Sequence, residues 1–173
     1  MYVRTLIAAV LAGVVVLCAH AADTASVPPA LQPPVGSVLK VKLAAKGVQI
    51  YQCQGTEWKL QGPDAQLFDS SGRQQARHYA GPTWEANDGS KVVGEPLAHD
   101  DGPDPQAVAW LLLQAKANSG QGLFGNVHSI QRLHTKGGKA PAVPCSAANA
   151  NQIERVAYSA DYYFYTEGTG SKP

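Results

Sequence analysis

The chain has 173 residues, 16% of them charged, and its formal net charge at pH 7 is +1. This length predicts a single domain that can bury a sizeable core. A chain so close to neutral lacks the excess of basic residues that binding to nucleic acid or to an anionic lipid surface requires, so these two classes of partner are excluded.

The first residues have the pattern of a secretory signal peptide, predicted at 1–21. Arg4 supplies a positive charge, residues 6–18 form an almost unbroken apolar run, and Ala19-His20-Ala21 matches a small-x-small cleavage site. Because the apolar run is too short for a comfortable membrane span, we predict an exported protein, periplasmic or extracellular, without a membrane span after cleavage. Loss of Arg4 leaves 14 minus 1, or 13, basic residues against 13 acidic ones.

Two cysteines, Cys53 and Cys145, remain after the predicted cleavage. In an oxidising compartment a pair of cysteines most simply forms one disulfide. A redox pair usually has the spacing Cys-x-x-Cys, which these two residues lack. We therefore predict a structural disulfide that closes a loop of about 90 residues and contributes on the order of 4 kcal/mol to stability.

The first half of the mature chain predicts a leader followed by short strands. Residues 22–35 contain four prolines and show little periodicity, which predicts a flexible leader. Alternation of apolar and polar residues then predicts strands separated by turn residues. These strands are 39–43, 48–54, 57–61 and 65–68. We expect turns at 44–47 and at Gly62-Pro63, where glycine interrupts the pattern.

The middle of the chain holds one clear hairpin and one ambiguous segment. Asn87-Asp88-Gly89-Ser90 predicts a tight turn between strands at 83–86 and 91–93. Residues 105–117 fit both a helical stripe and a strand buried on both faces, and periodicity leaves this choice open. We favour a helical turn at 104–107 followed by a strand.

The last predicted strand, 156–165, has the clearest alternation in the chain. Its even positions predict a core face: Val156, Tyr158, Ala160, Tyr162 and Phe164. Its odd positions place Asp161 and Tyr163 on the opposite face, which is either solvent or a cleft. The tail at 167–173, rich in small and polar residues, is predicted to be disordered.

Short strands at near-regular spacing, with turn signals between them, predict a mainly β fold. We expect a single-domain antiparallel sandwich or barrel over residues 36–166, with long loops and at most one short helix. The pattern leaves open which of these two architectures the strands adopt.

Several stretches spread over residues 34–165 carry a resemblance to a known family. They are 47–53 (GVQIYQC), 78–84 (HYAGPTW), 88–90 (DGS), 110–113 (WLLL), 130–132 (IQR), 135–138 (TKGG) and 160–164 (ADYYF). Through them the chain resembles the exported-protein family of unknown function DUF3455, for which no activity or ligand is established. Some similar fungal sequences carry a malate dehydrogenase label, but we expect no Gly-x-Gly-x-x-Gly motif after a strand and no nicotinamide site.

Candidate site residues concentrate around the stretch 77–95, where acids, aromatics and a histidine flank two tight turns. The candidate ligand-binding residues are His78, Tyr79, Trp84, Glu85, Asp88, Arg132, Asp161 and Tyr163. Aromatic side chains with acids nearby suit a sugar or another flat ligand, and a histidine with a carboxylate suits acid–base chemistry. The histidines are too scattered to predict a metal site, and no cofactor is predicted.

Three hypotheses about function follow from these residues. The leading one is an exported β domain that binds a small molecule or an envelope component without catalysis. The first alternative is a hydrolase-type enzyme that uses His78 with Glu85, Asp88 or Asp161. The second alternative is a structural or interaction protein of the cell envelope.

Two geometric expectations separate these hypotheses. A shared site requires the side chains of His78 and Asp161 to lie within about 8 Å of each other, close enough for one bridging water. Arg132 is the competing partner for Asp161. We also expect Trp58 to belong to the core and Trp84 to line the site.

Overall fold

The computed structural model describes residues 26–168, so the predicted signal peptide and residues 169–173 of the predicted tail lie outside the described residues. Each strand pairs antiparallel with the next, and the last strand pairs with the first, which closes the sheet into an eight-stranded barrel. The strands are β1 (Ser37–Gln54), β2 (Glu57–Phe68), β3 (Gln74–Tyr79), β4 (Thr83–Ala86), β5 (Lys91–Asp100), β6 (Trp110–Ser119), β7 (Ser129–Gly137) and β8 (Ile153–Glu167). The mainly β, antiparallel prediction is confirmed, and the architecture is the barrel.

The two predicted turns at 44–47 and Gly62-Pro63 are wrong, because β1 and β2 each continue through them. Gly47 lies where β1 and β2 approach closely, and a Cβ on it would stand 2.2 Å from the Asp64 carbonyl oxygen. Gly62 has φ +142° and lies opposite the register shift between Ile50 and Tyr51. Both glycines therefore mark a close approach or a bulge within a strand instead of its end.

The predicted hairpin around 87–90 is confirmed, since β4 and β5 pair across that turn. The ambiguous segment 105–117 becomes a strand from Trp110 onwards. The helical turn expected at 104–107 is a single hydrogen-bonded turn, in which the Ala107 amide donates to the Asp104 carbonyl oxygen. Within residues 26–168 the helical elements are two single-turn 3-10 helices, Pro29–Leu31 and Ala147–Asn149.

The main core fills the interior of the barrel. The even residues of β8 from Tyr158 to Phe164 are buried, which confirms the predicted core face of this strand. Phe124, from the loop between β6 and β7, is fully buried and packs on Phe164 with ring centroids 4.5 Å apart. This side chain closes one end of the barrel, while the other end carries the turn between β3 and β4.

A second, smaller core lies on the outside of the barrel wall. Its buried members are Leu31, Trp110, Leu112 and Leu133. Leu31 belongs to the first 3-10 helix, and its carbonyl oxygen accepts a hydrogen bond of 2.6 Å from Gln131 Nε2. This part of the leader was predicted to be flexible, but in the structure Leu31 is buried against residues of strands β6 and β7.

The predicted disulfide is confirmed. Cys53, near the end of β1, is bonded to Cys145, in the loop before the second 3-10 helix, across 92 residues of sequence. The bond ties this loop to the open end of the barrel. None of the helices in the described residues has the length and apolar character needed to cross a membrane.

Candidate functional site

A cavity of about 350 Å³ enters the barrel at the end opposite Phe124, beside the Gly81-Pro82 turn. Its apolar wall includes Leu60, Pro63, Pro96, Leu111 and Leu113. Its polar side chains are those of Gln49, Gln61, His78, Trp84, Arg132 and Tyr162. Strands β1 to β8 therefore enclose a mostly apolar space with a small number of polar side chains at its surface.

His78 points into the barrel from β3, directly opposite Trp84 on β4. The two rings are stacked with centroids 4.2 Å apart and planes within 4°. His78 Nδ1 lies 2.9 Å from the Thr83 carbonyl oxygen, so this nitrogen carries the proton and donates. Burial is the main cause that lowers the pKa of His78 to about 3; the hydrogen bond to Thr83 opposes this shift, and the nearby Arg132 charge adds to it. His78 is therefore neutral at pH 7.

Several polar atoms in the barrel interior have no hydrogen-bond partner within the part of the chain that the structure describes. They are Gln49 Nε2, Trp84 Nε1, Tyr158 Oη and Tyr162 Oη. Buried polar atoms in proteins are nearly always paired, and each exception needs an explanation. Three of these four residues line the cavity, but their unpaired atoms have less than 1 Å² of exposed surface each, so a ligand pairs with them only when these side chains rotate towards it.

Arg132 also faces the interior, because it pairs with Leu111 on β6 and with Tyr162 on β8. Its Nε and Nη2 both donate to the Ala109 carbonyl oxygen, at 3.0 and 2.8 Å. Among residues 26–168 no carboxylate lies within ion-pair distance of this guanidinium. The expected pairing of Arg132 with Asp161 is therefore wrong.

Asp161 lies on the outer surface. Its Oδ2 is 2.8 Å from Lys42 Nζ and 3.0 Å from His134 Nδ1. Tyr163 lies on the same face, with the Lys42 ammonium 5.2 Å from its ring centroid. Asp161 neighbours Tyr162 in β8, and successive strand residues point to opposite faces. The expected shared cavity of His78 and Asp161 is therefore wrong, and so is the hydrolase hypothesis in its Asp161 form.

Glu85 and Tyr79 also lie on the outer face, with charged neighbours. The Glu85 carboxylate accepts hydrogen bonds from Arg77 Nη2 at 2.7 Å and from the Tyr79 hydroxyl at 2.9 Å. The Arg77 hydrogen bond, followed by that of Tyr79, lowers the pKa of Glu85. Lys91 Nζ adds a third contact at 3.5 Å. These contacts keep Glu85 ionised and directed away from the cavity.

Asp88 organises the turn and the neighbouring glycine-rich loop. Its Oδ1 accepts from the Ser90 amide and hydroxyl, and its Oδ2 accepts from the Leu123 amide at 2.8 Å. The hydrogen bond from the Ser90 hydroxyl is the main cause that lowers the pKa of Asp88. Asp88 thus fixes the loop that carries Phe124 and lies at the closed end of the barrel, away from the cavity.

That loop corrects one expectation from the sequence. Residues 120–125 read Gly-Gln-Gly-Leu-Phe-Gly and directly follow β6, so a Gly-x-Gly-x-x-Gly spacing is present after a strand. A dinucleotide site also needs a helix after the motif and a parallel βαβ unit. Here the motif leads into the antiparallel strand β7, and its amides at Leu123 and Phe124 donate to Asp88 and Ser90. The Gly-x-Gly-x-x-Gly spacing therefore belongs to a loop that Asp88 and Ser90 hold by hydrogen bonds, and not to a dinucleotide site.

The cavity combines three of the sequence-predicted residues, His78, Trp84 and Arg132. The predicted set omitted Gln49 and Tyr162. A polar side chain at an inward position of an otherwise apolar strand was the available signal for Gln49. Within the described ranges, no group of three or more His, Cys, Asp or Glu side chains is arranged to hold a metal ion.

Comparison with protein families matches residues 34–166 to the family described as "protein of unknown function (DUF3455)". No curated protein and no solved structure matches the chain. The family match covers nearly all of the barrel, including every cavity-lining residue.

Proposed function

The chain belongs to the DUF3455 family, whose description gives no function, and we propose that this member is an exported binding protein that holds a small organic molecule in its barrel. The observation that carries the proposal is the set of unpartnered polar atoms of Gln49, Trp84 and Tyr162 around the cavity. The disulfide between Cys53 and Cys145 fits an oxidising compartment outside the cytoplasm.

The size and lining of the cavity suit such a ligand. An eight-stranded barrel is just wide enough to be filled by side chains or to hold one small molecule. The volume of about 350 Å³ lies at the lower end of the range for small-molecule sites, which are mostly apolar with a few placed polar groups. Each buried polar atom left unpaired costs about 1–3 kcal/mol, so a ligand that pairs with them gains affinity.

The same geometry argues for binding over catalysis. His78 has its Nδ1 committed to the Thr83 carbonyl oxygen and stays neutral because of burial. Acid–base catalysis by a histidine also needs a reacting partner or an orienting carboxylate within hydrogen-bond reach. Glu85 and Asp88 are held by Arg77 and Ser90, respectively, in other parts of the molecule.

The test is a screen of small organic fragments against the mature protein by ligand-observed NMR. We expect hits that Leu111→Trp removes, because Leu111 lines the cavity and the larger side chain occupies part of its volume. Leu97→Trp is the matched control, since Leu97 is exposed on β5 and outside the cavity lining. Fragments that bind both variants equally, or the absence of any binding fragment, would contradict the proposal.

A further inference from the structure

We infer that the cavity selects a small organic monoanion, a carboxylate carried on an apolar body, with Arg132 as its counterion. This inference rests on the proposed function and adds the chemical class of the ligand. It follows from three features of the cavity: its charge, the hydrogen-bonding direction of its polar atoms, and the composition of its wall.

The charge at the cavity comes from Arg132. It is the one charged side chain among the described residues that line the cavity, since His78 is neutral. Its positive charge acts on Tyr51, Tyr158 and Tyr162, whose pKa values burial raises and Arg132 lowers. The guanidinium is therefore surrounded by neutral phenols, without a carboxylate within ion-pair distance in residues 26–168. A charge in such surroundings is best stabilised by an anion.

The buried polar atoms without a partner at the cavity are all able to donate, whereas the other ring nitrogen of His78, Nε2, is an acceptor. Trp84 Nε1 and Gln49 Nε2 can only donate, and both lack a partner in the described chain. The Tyr162 hydroxyl also lacks a partner and is able to donate. Arg132 adds the hydrogens of Nη1, because only Nε and Nη2 are used by the Ala109 carbonyl oxygen. A carboxylate is an acceptor with about four lone-pair sites, so it is complementary to this set.

The residues of the cavity wall indicate the polarity of the rest of the ligand. Leucines and prolines form most of it, including Leu60, Pro63, Leu111 and Leu113, which favours an apolar body. A single guanidinium matches one negative charge, whereas a phosphate dianion is better matched by a cluster of basic groups. The double contact of Arg132 with Ala109 holds the guanidinium in one orientation before the ligand arrives. Such preorganisation lowers the entropic cost of binding.

The experiment compares two probes of the same shape, 2-naphthoate and 2-naphthamide, by isothermal titration calorimetry at pH 7. We expect the mature protein to bind the carboxylate at least about tenfold more tightly than the amide, as one charge-assisted contact provides. The preference should disappear in Arg132→Gln and survive in Arg155→Gln, whose arginine is exposed and paired with Asp64. The comparison on the unmodified protein needs no variant, so it remains decisive if Arg132→Gln does not fold.

The outcomes separate this inference from the proposed function. Equal affinity for the two probes, with both lost in Leu111→Trp, would overturn the anion selectivity and leave small-molecule binding intact. Inorganic phosphate that displaces 2-naphthoate at similar concentration would show a general anion site and overturn the organic carboxylate. Absence of binding by both probes, while other fragments still bind in the cavity, would overturn the inference as well.

Discussion

Two clusters of the same three residue types lie on opposite faces of the closed sheet, one inside the barrel and one outside. The interior cluster consists of His78, Trp84 and Tyr162, and the exterior cluster consists of Trp110, His134 and Tyr163. The two tyrosines are neighbours in β8. In the interior the histidine is 3% exposed and stacked flat on the indole. On the exterior the histidine meets Trp110 edge to face and contacts Asp161.

The face of the strand, more than the residue type, sets the chemistry of these side chains. Asp161 and Lys42 are in contact with water and with each other beside the exterior cluster. Within the described chain, the interior cluster contains no carboxylate, and the charge of Arg132 lowers the pKa of both His78 and Tyr162. An imidazole in the interior is kept neutral, whereas one outside can pair with an acid.

The largest expected effect comes from removing the indole of the interior cluster. Trp84→Ala should lower the free energy of unfolding by about 3–5 kcal/mol, because Trp84 is fully buried against His78, Tyr162 and Phe164. Urea denaturation followed by circular dichroism measures this loss. Trp58→Ala is the control and should cost clearly less, since Trp58 is only half-buried, contrary to its predicted place in the core. Similar losses for both variants would contradict the assignment.

The leader is expected to stabilise the protein through its packing against the exterior cluster. Leu31→Ala should lower the free energy of unfolding by about 2–4 kcal/mol, because Leu31 is fully buried against Trp110, Leu112 and Leu133. Val35→Ala, a change at a fully exposed residue of the same segment, should leave stability unchanged. Thermal unfolding of the two variants is the measurement. Equal melting temperatures would mean that the leader does not stabilise the barrel.

The interior cluster should make the free energy of unfolding depend on pH through His78. Its pKa of about 3 in the folded protein lies below the usual 6.5, so the unfolded chain binds the extra proton between these values. Stability should therefore fall as pH drops below 6.5, by up to about 1.4 kcal/mol per pH unit from this residue, or about 2 kcal/mol by pH 5. His78→Asn keeps a donor towards Thr83 and should flatten the dependence, measured by urea titrations from pH 7 to pH 5.

The control for the acid experiment is His99→Asn, a change at an exposed histidine of β5. This variant should keep the slope of the unmodified protein between pH 7 and pH 5. A slope that stays the same in His78→Asn as well would assign the acid sensitivity to other groups.

The smallest expected effect is on the exterior ion pairs. Asp161→Asn should change the free energy of unfolding by less than about 1 kcal/mol, because the Lys42 and His134 side chains are 48% and 41% exposed and water screens both contacts. Raising the salt concentration should reduce the difference between the variant and the unmodified protein. A loss of several kcal/mol, independent of salt, would show that Asp161 is a structural anchor.

The parts of the fold that the sequence predicts are those where alternation is strong. In β8 the large residues Tyr158, Tyr162 and Phe164 occupy one face, so both the strand and its inward side are evident. The inward face of β3 is formed by Ala76 and His78, and neither residue gives a clear hydrophobic signal. The side to which His78 points therefore had to come from the structure.

Closure of the sheet was also beyond the sequence pattern. A sandwich and a barrel share the same short alternating strands, and they differ in whether the first and last strands pair. In β1 burial alternates from Leu43 through Gln49 to Cys53, but the apolar Val48 and Ile50 lie on the opposite face, so the polar Gln49 does not stand out as an inward residue. The cavity was missed for the same reason, since Gln49, Arg132 and Tyr162 come together only when β1, β7 and β8 are neighbours.

The pairing of β1 with β8, which closes the barrel, determines when the protein can complete its fold. It runs from the pair Ser37 and Glu167 to the pair Gln52 and Ile153, so it joins the first strand to be synthesised with the last. Until β8 is available, β1 and β7 each keep an unpaired edge, and such long-range pairing forms slowly. For a chain that is exported, as we propose, the barrel cannot close until β8 has been made, so this topology favours translocation of the chain before the barrel closes.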